Sequence, residues 1–167
     1  MSDAESLAAE LVAALRERGW SVGVAESLTG GLVCAALVSV AGASAVVRGG
    51  VVAYQTPLKH ELLGVDAALL AAHGAVHPLV AEQMALGIRR AVTIDGRGAE
   101  LGIATTGIAG PTSPDGQPVG TVHVGISTPA RTFSVPLLLA GDRGAIRSQS
   151  VGASLRAARD AVWEYGM

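Results

Sequence analysis

The chain has few of the residue types on which several common protein classes depend. Its 167 residues include a single cysteine, one Phe, two Trp and two Tyr. A lone cysteine excludes an internal disulfide and fits the reducing cytoplasm, where we expect the protein to act. Because aromatic side chains are scarce, Ala, Val, Leu and Gly must form the core, and such a core favours close packing of helices on a sheet.

Basic stripes and long apolar segments are also absent from the sequence. The formal net charge is −2 and the basic residues are scattered, whereas nucleic-acid-binding proteins usually carry a basic patch. No apolar run reaches the roughly 18 residues that a membrane-spanning helix needs, and the acidic N-terminal segment predicts an amphipathic helix rather than a signal peptide. We therefore expect no nucleic-acid or membrane partner, and a single domain over residues 1–167.

The apolar periodicity alternates between helix-like and strand-like segments. It predicts helices at residues 4–18, 30–39, 56–63, 66–73, 78–92 and 142–165, and strands at residues 21–25, 46–54, 100–106, 120–127 and 131–139. The last two strands predict a hairpin, which places one antiparallel strand in the sheet, while helical crossovers make the other pairs parallel. The sequence thus predicts an α/β protein, a three-layer α/β/α sandwich with a mixed, mostly parallel sheet.

The first candidate site is the segment AESLTGG, which joins the first predicted strand to a helix. Ser and Thr hydroxyls and backbone N–H groups gather there at the positive end of the helix dipole, which suits a phosphate or a developing oxyanion. Ser27 lies where a nucleophile would, and we predict that Glu26, Thr29, Gly30 and Gly31 contact the substrate. The alternative is structural, because Ser and Thr are favoured N-caps and two glycines permit a tight turn.

The second candidate site is the segment YQTPLK, which follows the second predicted strand. Ligands of open α/β sheets bind outside the carboxyl ends of the strands, so Lys59 would share an edge with Ser27 if the two strands are parallel neighbours. Lys59 is the only lysine of the chain, although a shortage of lysine is also typical of GC-rich coding. Arginine cannot act as a base because it stays protonated.

A Ser–Lys pair works only when the lysine is neutral. We expect burial and the nearby helix end to lower the pKa of Lys59 from about 10.4 towards about 7 to 8. The neutral amine could then accept the proton of the Ser27 hydroxyl. Tyr54 would orient Lys59 or relay the proton; alternatively, it lies at the strand end with its hydroxyl in water.

Two further segments carry candidate ligand contacts. In ATTGIAGP, the backbone N–H groups of Thr105, Thr106, Gly107 and Gly110 could bind an oxyanion or a phosphate, or the glycines mark only a turn. The four histidines share no ligand spacing, so we expect neither a metal site nor another cofactor.

Two arginines mark the start of the last predicted helix. Arg143 and Arg147 lie one turn apart where cations oppose the helix dipole, so an anionic ligand is a reasonable explanation for them. The alternative is a solvated pair of arginines.

Seven segments, AESLTGG, GGVVAYQTPLK, LLGV, HGAVHP, TTGIAGP, PVGTVHV and GDRGAIR, occur in the order seen in the C-terminal domain of the competence/damage-inducible protein CinA. The chain resembles that family from about residue 4 to residue 165. The resemblance implies a three-layer α/β/α fold, homo-oligomers, no required metal, and hydrolysis of nicotinamide mononucleotide to nicotinate mononucleotide and ammonia. It also implies that Ser27 is the nucleophile, Lys59 the base and Tyr54 a catalytic tyrosine. The Thr106–Gly107 turn resembles the family's substrate-holding loop.

The sequence departs from many members of that family at two places. Residues 112–117 replace a run of glycines and a lysine, and His77 stands where relatives often have Ser. The expected function is a nicotinamide-nucleotide amidohydrolase of pyridine nucleotide salvage that acts on a small nucleotide. The alternative is a non-catalytic nucleotide-binding regulatory module linked to competence or the DNA-damage response.

Overall fold

The computed structural model describes residues 2–165, in which helices and strands alternate as the periodicity predicts. The helices are α1 (Asp3–Arg18), α2 (Leu32–Val38), α3 (Thr56–Leu63), α4 (Ala67–His73), α5 (Pro78–Ala91) and α6 (Arg143–Glu164). The strands are β1 (Val22–Glu26), β2 (Val47–Val52), β3 (Leu101–Gly107), β4 (Thr121–Ser127) and β5 (Thr132–Leu138). Each predicted segment is confirmed to within about two residues at either end, the usual uncertainty of helix boundaries.

The five strands form one sheet in the order β2-β1-β3-β4-β5. Strands β2, β1 and β3 are parallel, whereas β4 lies antiparallel between β3 and β5. Among the described strands only β4 runs against the others, which confirms the predicted mixed sheet with one antiparallel strand. Because that strand lies between two neighbours, two of the four strand pairs are antiparallel, the β3–β4 pair in addition to the predicted hairpin.

Helices cover both faces of this sheet. One apolar cluster joins α1, α2 and α6 to the sheet and includes Leu11, Val24, Ile103 and Leu155. A second cluster on the opposite face joins α3, α4 and α5 to the sheet and includes Leu63, Met84, Ile88 and Ala104. These two cores confirm the three-layer α/β/α sandwich. No helix among residues 2–165 is long and apolar enough to cross a membrane.

Two glycines of the sheet allow α5 to approach very closely. A Cβ atom built at Gly102 would lie 2.0 Å from the carbonyl oxygen of Ala85, and one at Gly125 would lie 2.0 Å from that of Ala81. Side chains at these positions would push the helix away from the sheet. The contact anchors α5, and with it the loop that precedes Pro78.

The carboxyl ends of the three parallel strands are level with one another. Glu26, the last residue of β1, pairs with Val52 of β2 and with Thr105 of β3. The loops after these strands therefore leave the sheet at one edge, where the segments AESLTGG, YQTPLK and TTGIAGP meet.

Candidate active site

Ser27 and Lys59 are in direct contact at this edge. The Nζ atom of Lys59 donates a hydrogen bond of 3.1 Å to the Oγ atom of Ser27. The Lys59 side chain is 1% exposed and Ser27 is 8% exposed. Ser27 follows β1 directly and Lys59 lies on α3, so the predicted juxtaposition arises because β1 and β2 are parallel neighbours.

The surroundings of Lys59 favour a neutral amine. Burial lowers its pKa from 10.5 to about 8, because a charged group loses hydration inside the protein. Nζ also lies 2.8 Å from the carbonyl oxygen of Ala53 and 3.4 Å from that of Tyr54. A neutral amine has two N–H groups for these carbonyls and one lone pair for the Ser27 hydroxyl.

Residues 27–30, which we call the nucleophile turn, hold Ser27 at the end of its strand. The N–H of Ser27 donates to the carbonyl oxygen of Thr105 at 3.1 Å, which extends the pairing of β1 with β3. The N–H of Gly30 donates to the carbonyl oxygen of Ser27 at 3.1 Å and closes the turn. The Gly30 amide therefore already has an acceptor within the protein.

Glu26 occupies the start of α2 and is a structural group in this arrangement. Its carboxylate accepts hydrogen bonds of 2.9 to 3.0 Å from the N–H groups of Gly31, Val33 and Cys34. The side chain is 1% exposed. Since the carboxylate satisfies the amides that the sequence assigned to a ligand, the geometry conflicts with the predicted substrate contacts of Glu26 and Gly31, as it does with that of Gly30.

Two predicted threonines are also turned into the protein. The hydroxyls of Thr29 and Thr105 lie 2.7 Å apart and both residues are fully buried. Their pairing joins the nucleophile turn to β3 and leaves neither hydroxyl open to a substrate, so only the backbone groups of these two residues could take part in the predicted contacts. The Thr106 hydroxyl donates to the carbonyl oxygen of Ala75 at 2.7 Å.

A pocket of about 350 Å³ opens beside the Ser–Lys contact. The predicted residues that line it are Ser27, Tyr54, Lys59, Thr106, Gly107, Gly110 and Arg143. Its volume lies at the lower end of the range typical of small-molecule sites. Sequence reasoning missed the wall formed by residues 74–76, although the HGAVHP segment carried the signal for it.

Tyr54 and Arg143 form one side of the pocket mouth. Arg143 donates from Nη2 to the Tyr54 hydroxyl at 3.1 Å and from Nη1 to the carbonyl oxygen of Gly110 at 2.8 Å. The hydroxyl of Tyr54 thus contacts Arg143, while Tyr54 reaches Lys59 through its backbone carbonyl. Both side chains are exposed to the solvent.

Arg147 does not share this position. Its Nε donates to the carbonyl oxygen of Leu28 at 2.9 Å and its Nη2 to that of Thr29 at 3.2 Å. Arg147 is half-buried and is not among the residues that line the pocket. The structure therefore separates two arginines that the sequence had paired, and it corrects the predicted ligand contact of Arg147.

A larger cleft of about 560 Å³ lies at the opposite ends of the strands, with Arg16, Arg48 and Arg97 in its lining. The one hydroxyl there with a carboxylate neighbour is that of Ser21, which donates to Glu100 at 2.7 Å. The only lysine of the chain is at the other end of the sheet, so this cleft lacks a Ser–Lys pair. We assign the site to the smaller pocket.

The histidines lie apart from the Ser–Lys contact. His77 caps α5, since its Nδ1 accepts the N–H of Leu79 at 3.2 Å, and its ring stacks on that of His73. Within residues 2–165 no histidine is hydrogen-bonded to Ser27, and no three His, Cys, Asp or Glu side chains are grouped so that they could hold a metal ion.

Comparison with known proteins identifies the family. The family model of the CinA C-terminal domain matches residues 4–162. This chain belongs to the CinA C-terminal domain family. A CinA-like protein of Anaeromyxobacter sp. is 49% identical over 160 residues, which cover 95% of this chain and 38% of that protein. A CinA-like protein of Frankia casuarinae is 44% identical over 151 residues, which cover 90% and 34%.

Solved structures agree with this assignment. A CinA superfamily protein from Klebsiella pneumoniae superposes with a TM-score of 0.90 at 32% identity, over 96% of this chain and 98% of that one. A competence/damage inducible protein from Agrobacterium tumefaciens gives a TM-score of 0.88 at 34% identity, over 97% and 96%. This CinA domain spans a little over a third of the length of the curated relatives it matches.

The loop of residues 112–117 forms one side of the pocket. Asp115 and Pro114 line the pocket, and the Gln117 side chain donates to the carbonyl oxygen of Val76 at 3.0 Å. The Asp115 carboxylate accepts hydrogen bonds from the side chains of Ser113 and Gln117. The Gln117 side chain thus ties the loop to the wall formed by residues 74–76.

Proposed function

We propose that this CinA domain is an amidohydrolase that converts nicotinamide mononucleotide to nicotinate mononucleotide and ammonia. The observation that carries the proposal is the 3.1 Å contact between the buried Lys59 amine and the Ser27 hydroxyl in a pocket of nucleotide-binding size. A hydroxyl beside a base of lowered pKa is the usual arrangement of an activated nucleophile.

The reaction has two halves. The Ser27 oxygen attacks the carboxamide carbon while Lys59 accepts the hydroxyl proton. Lys59 then gives that proton to the nitrogen, the C–N bond breaks, and ammonia leaves an ester on Ser27. In the second half Lys59 takes a proton from water, the hydroxide oxygen attacks the ester carbon, and the proton returns to the Ser27 oxygen as the acid leaves.

The charges of the pocket support a phosphate-bearing substrate at one end. Arg143 is the cation at the pocket mouth. A guanidinium offers paired donors to a phosphate, so we place the 5′-phosphate at Arg143 and the carboxamide at Ser27. Tyr54, whose hydroxyl contacts Arg143, would then orient this cation.

The cellular setting is part of the proposal. A reaction that turns an amide nucleotide into the corresponding acid belongs to pyridine nucleotide salvage in the cytoplasm. We also propose that the protein acts as a homo-oligomer, as its family resemblance implies. Sedimentation of the purified protein at several concentrations measures the oligomeric state, and a monomer at all of them would refute that part.

The decisive experiment is incubation of the protein with nicotinamide mononucleotide. We expect stoichiometric release of ammonia and nicotinate mononucleotide, and none with Lys59→Met, which has a similar shape and no basic nitrogen. Nucleotide binding by the wild type without ammonia release would refute the proposal and favour the non-catalytic regulatory module.

A further inference from the structure

Arg147 joins the last helix to the nucleophile turn, which is 118 and 119 residues away at the two contacts. It does not meet Ser27 itself. Its two hydrogen bonds end on consecutive backbone carbonyls, those of Leu28 and Thr29. A charged side chain that holds two adjacent peptide groups restricts their orientation.

The peptide groups of this turn present two N–H groups without a protein acceptor. In a trans peptide the carbonyl of one residue and the N–H of the next point in opposite directions. Arg147 holds the carbonyl of Leu28, and the same peptide carries the N–H of Thr29. The Gly30 amide holds the carbonyl of Ser27, and that peptide carries the N–H of Leu28.

Both N–H groups are unusual for buried backbone. Leu28 is 4% exposed and Thr29 is fully buried, yet within residues 2–165 neither N–H donates to a protein group. Buried backbone donors are nearly always paired. By contrast, the N–H groups of Gly31, Val33 and Cys34 at the start of α2 have an acceptor, the carboxylate of Glu26.

We propose that Arg147 is a positioning residue that aims the Leu28 and Thr29 amides at the oxygen that becomes negative when Ser27 attacks the substrate. Leu28 lines the pocket together with Ser27, and the backbone N–H of the residue after a nucleophilic serine is a common oxyanion donor. The positive guanidinium on the Leu28 carbonyl also polarises this peptide, which strengthens its N–H as a donor. Donors fixed in this way stabilise a tetrahedral intermediate.

The proposal rests on Ser27 being the acylated nucleophile of the proposed function, and kinetics give its first test. Arg147→Ala should lower kcat for nicotinamide mononucleotide about tenfold to a thousandfold, since loss of an oxyanion donor costs on the order of a hundredfold to a thousandfold. KM should change less than about threefold, because the intermediate and not the bound substrate is affected. Arg156→Ala, on an exposed part of the same helix, is the matched control and should keep wild-type kinetics.

A boronic acid measures the same interaction without turnover. Pyridine-3-boronic acid carries the ring of nicotinamide and forms a tetrahedral anion on a serine oxygen. Arg147→Ala should weaken the binding of pyridine-3-boronic acid at least about tenfold. The affinity of this variant for nicotinate mononucleotide should equal that of the wild type. Ser27→Ala should abolish the boronate adduct. If Arg147→Ala does not fold, Arg147→Gln, which keeps one donor and loses the charge, replaces it in both measurements.

Equal loss of boronate and product binding would overturn the proposal, since it would indicate a general structural role. So would unchanged kcat, or failure of the wild type to form the Ser27 adduct. A wild type that forms the adduct with this dependence on Arg147, but releases no ammonia from nicotinamide mononucleotide, would refute the proposed substrate and leave the role of Arg147 standing.

Discussion

Lys59 is the residue at which stability and chemistry oppose each other. A lysine with 1% exposure loses the hydration of its charge, and this loss lowers the pKa to about 8. The same burial makes the amine a usable base near neutral pH. The carbonyl oxygens of Ala53 and Tyr54, which lie 2.8 and 3.4 Å from Nζ, orient the amine.

Replacing Ser27 by alanine should abolish hydrolysis and leave the fold intact. The substitution removes one hydroxyl, while the backbone contacts of the turn remain. We expect kcat to fall by at least about a thousandfold, because the loss of a nucleophile commonly costs several orders of magnitude. Ser148→Ala, at an exposed position of α6, is the control for ammonia release. Activity of Ser27→Ala within about tenfold of wild type would exclude Ser27 as the nucleophile.

The rate should depend on pH through Lys59. Since only the neutral amine accepts a proton, kcat/KM should rise with pH to a plateau, with a midpoint near the pKa of about 8. Lys59→Arg should be inactive throughout because Arg stays protonated. Glu61→Gln, on the exposed side of the same helix, should keep the wild-type profile. A flat profile between about pH 6 and pH 9 in the wild type would argue against Lys59 as the base.

Arg143 should affect binding of the phosphate. Arg143→Ala is expected to raise KM for nicotinamide mononucleotide about tenfold to a hundredfold, because charge-assisted hydrogen bonds are worth roughly 1.5 to 3 kcal/mol. KM for nicotinamide riboside, which lacks the phosphate, should change little. Steady-state kinetics with both substrates make the comparison. An equal change for the two would show that Arg143 does not contact the phosphate.

At the scale of elements, the N-terminal N–H groups of the short helix α2 are bound by a side chain of the protein itself. Its first N–H groups lie where an anion binds most readily. The anion there is the carboxylate of Glu26, the last residue of the preceding strand. The donors available to a substrate are consequently those of the turn before the helix.

The packing of α5 on the sheet depends on the absence of two side chains. Gly102→Ala should lower the free energy of unfolding by about 1 to 3 kcal/mol, the usual cost of overpacking, because its Cβ would meet the Ala85 carbonyl at 2.0 Å. Gly152→Ala is the control, since a Cβ there meets nothing within 4 Å and alanine stabilises a helix interior by about 0.5 to 1 kcal/mol. Urea unfolding measures both, and equal effects of the two substitutions would contradict the close contact.

At the scale of the whole molecule, burial of Lys59 makes stability depend on pH. Its pKa is about 8 in the folded protein and 10.5 in the unfolded chain. Below both values each state binds the proton, and the folded state bears the cost of the buried charge. Between them only the unfolded state binds it, so stability rises with pH.

The free energy of unfolding of the wild type, relative to that of Lys59→Met, should increase by about 3 kcal/mol between about pH 7 and pH 10.5, at roughly 1.36 kcal/mol per pKa unit. Lys59→Met should accordingly be the more stable protein near neutral pH, where it is inactive. Urea unfolding at the two pH values provides the measurement. A difference that stays constant with pH would mean that Lys59 is not desolvated.

The sequence alone predicted the three layers, the mixed sheet and the sheet edge at which Ser27 and Lys59 could meet. Helix and strand periods depend on neighbouring residues, and right-handed crossovers between parallel strands carry each loop to the same edge. Ser27 and Lys59 each follow such a strand, so the sequence predicted their proximity on the condition that β1 and β2 are parallel neighbours, which the sheet order satisfies.

Only the tertiary structure decided which donors and acceptors of that edge remain free. Glu26 takes the amides of α2, Thr29 pairs with Thr105, and Arg147 holds the nucleophile turn from α6. The last two partners come from 76 and 119 positions along the chain, and no local pattern encodes them. A donor or acceptor pairs with whichever group the packing brings within reach. For this reason Arg143 lies at the pocket mouth, whereas Arg147 is hydrogen-bonded to the backbone of the nucleophile turn.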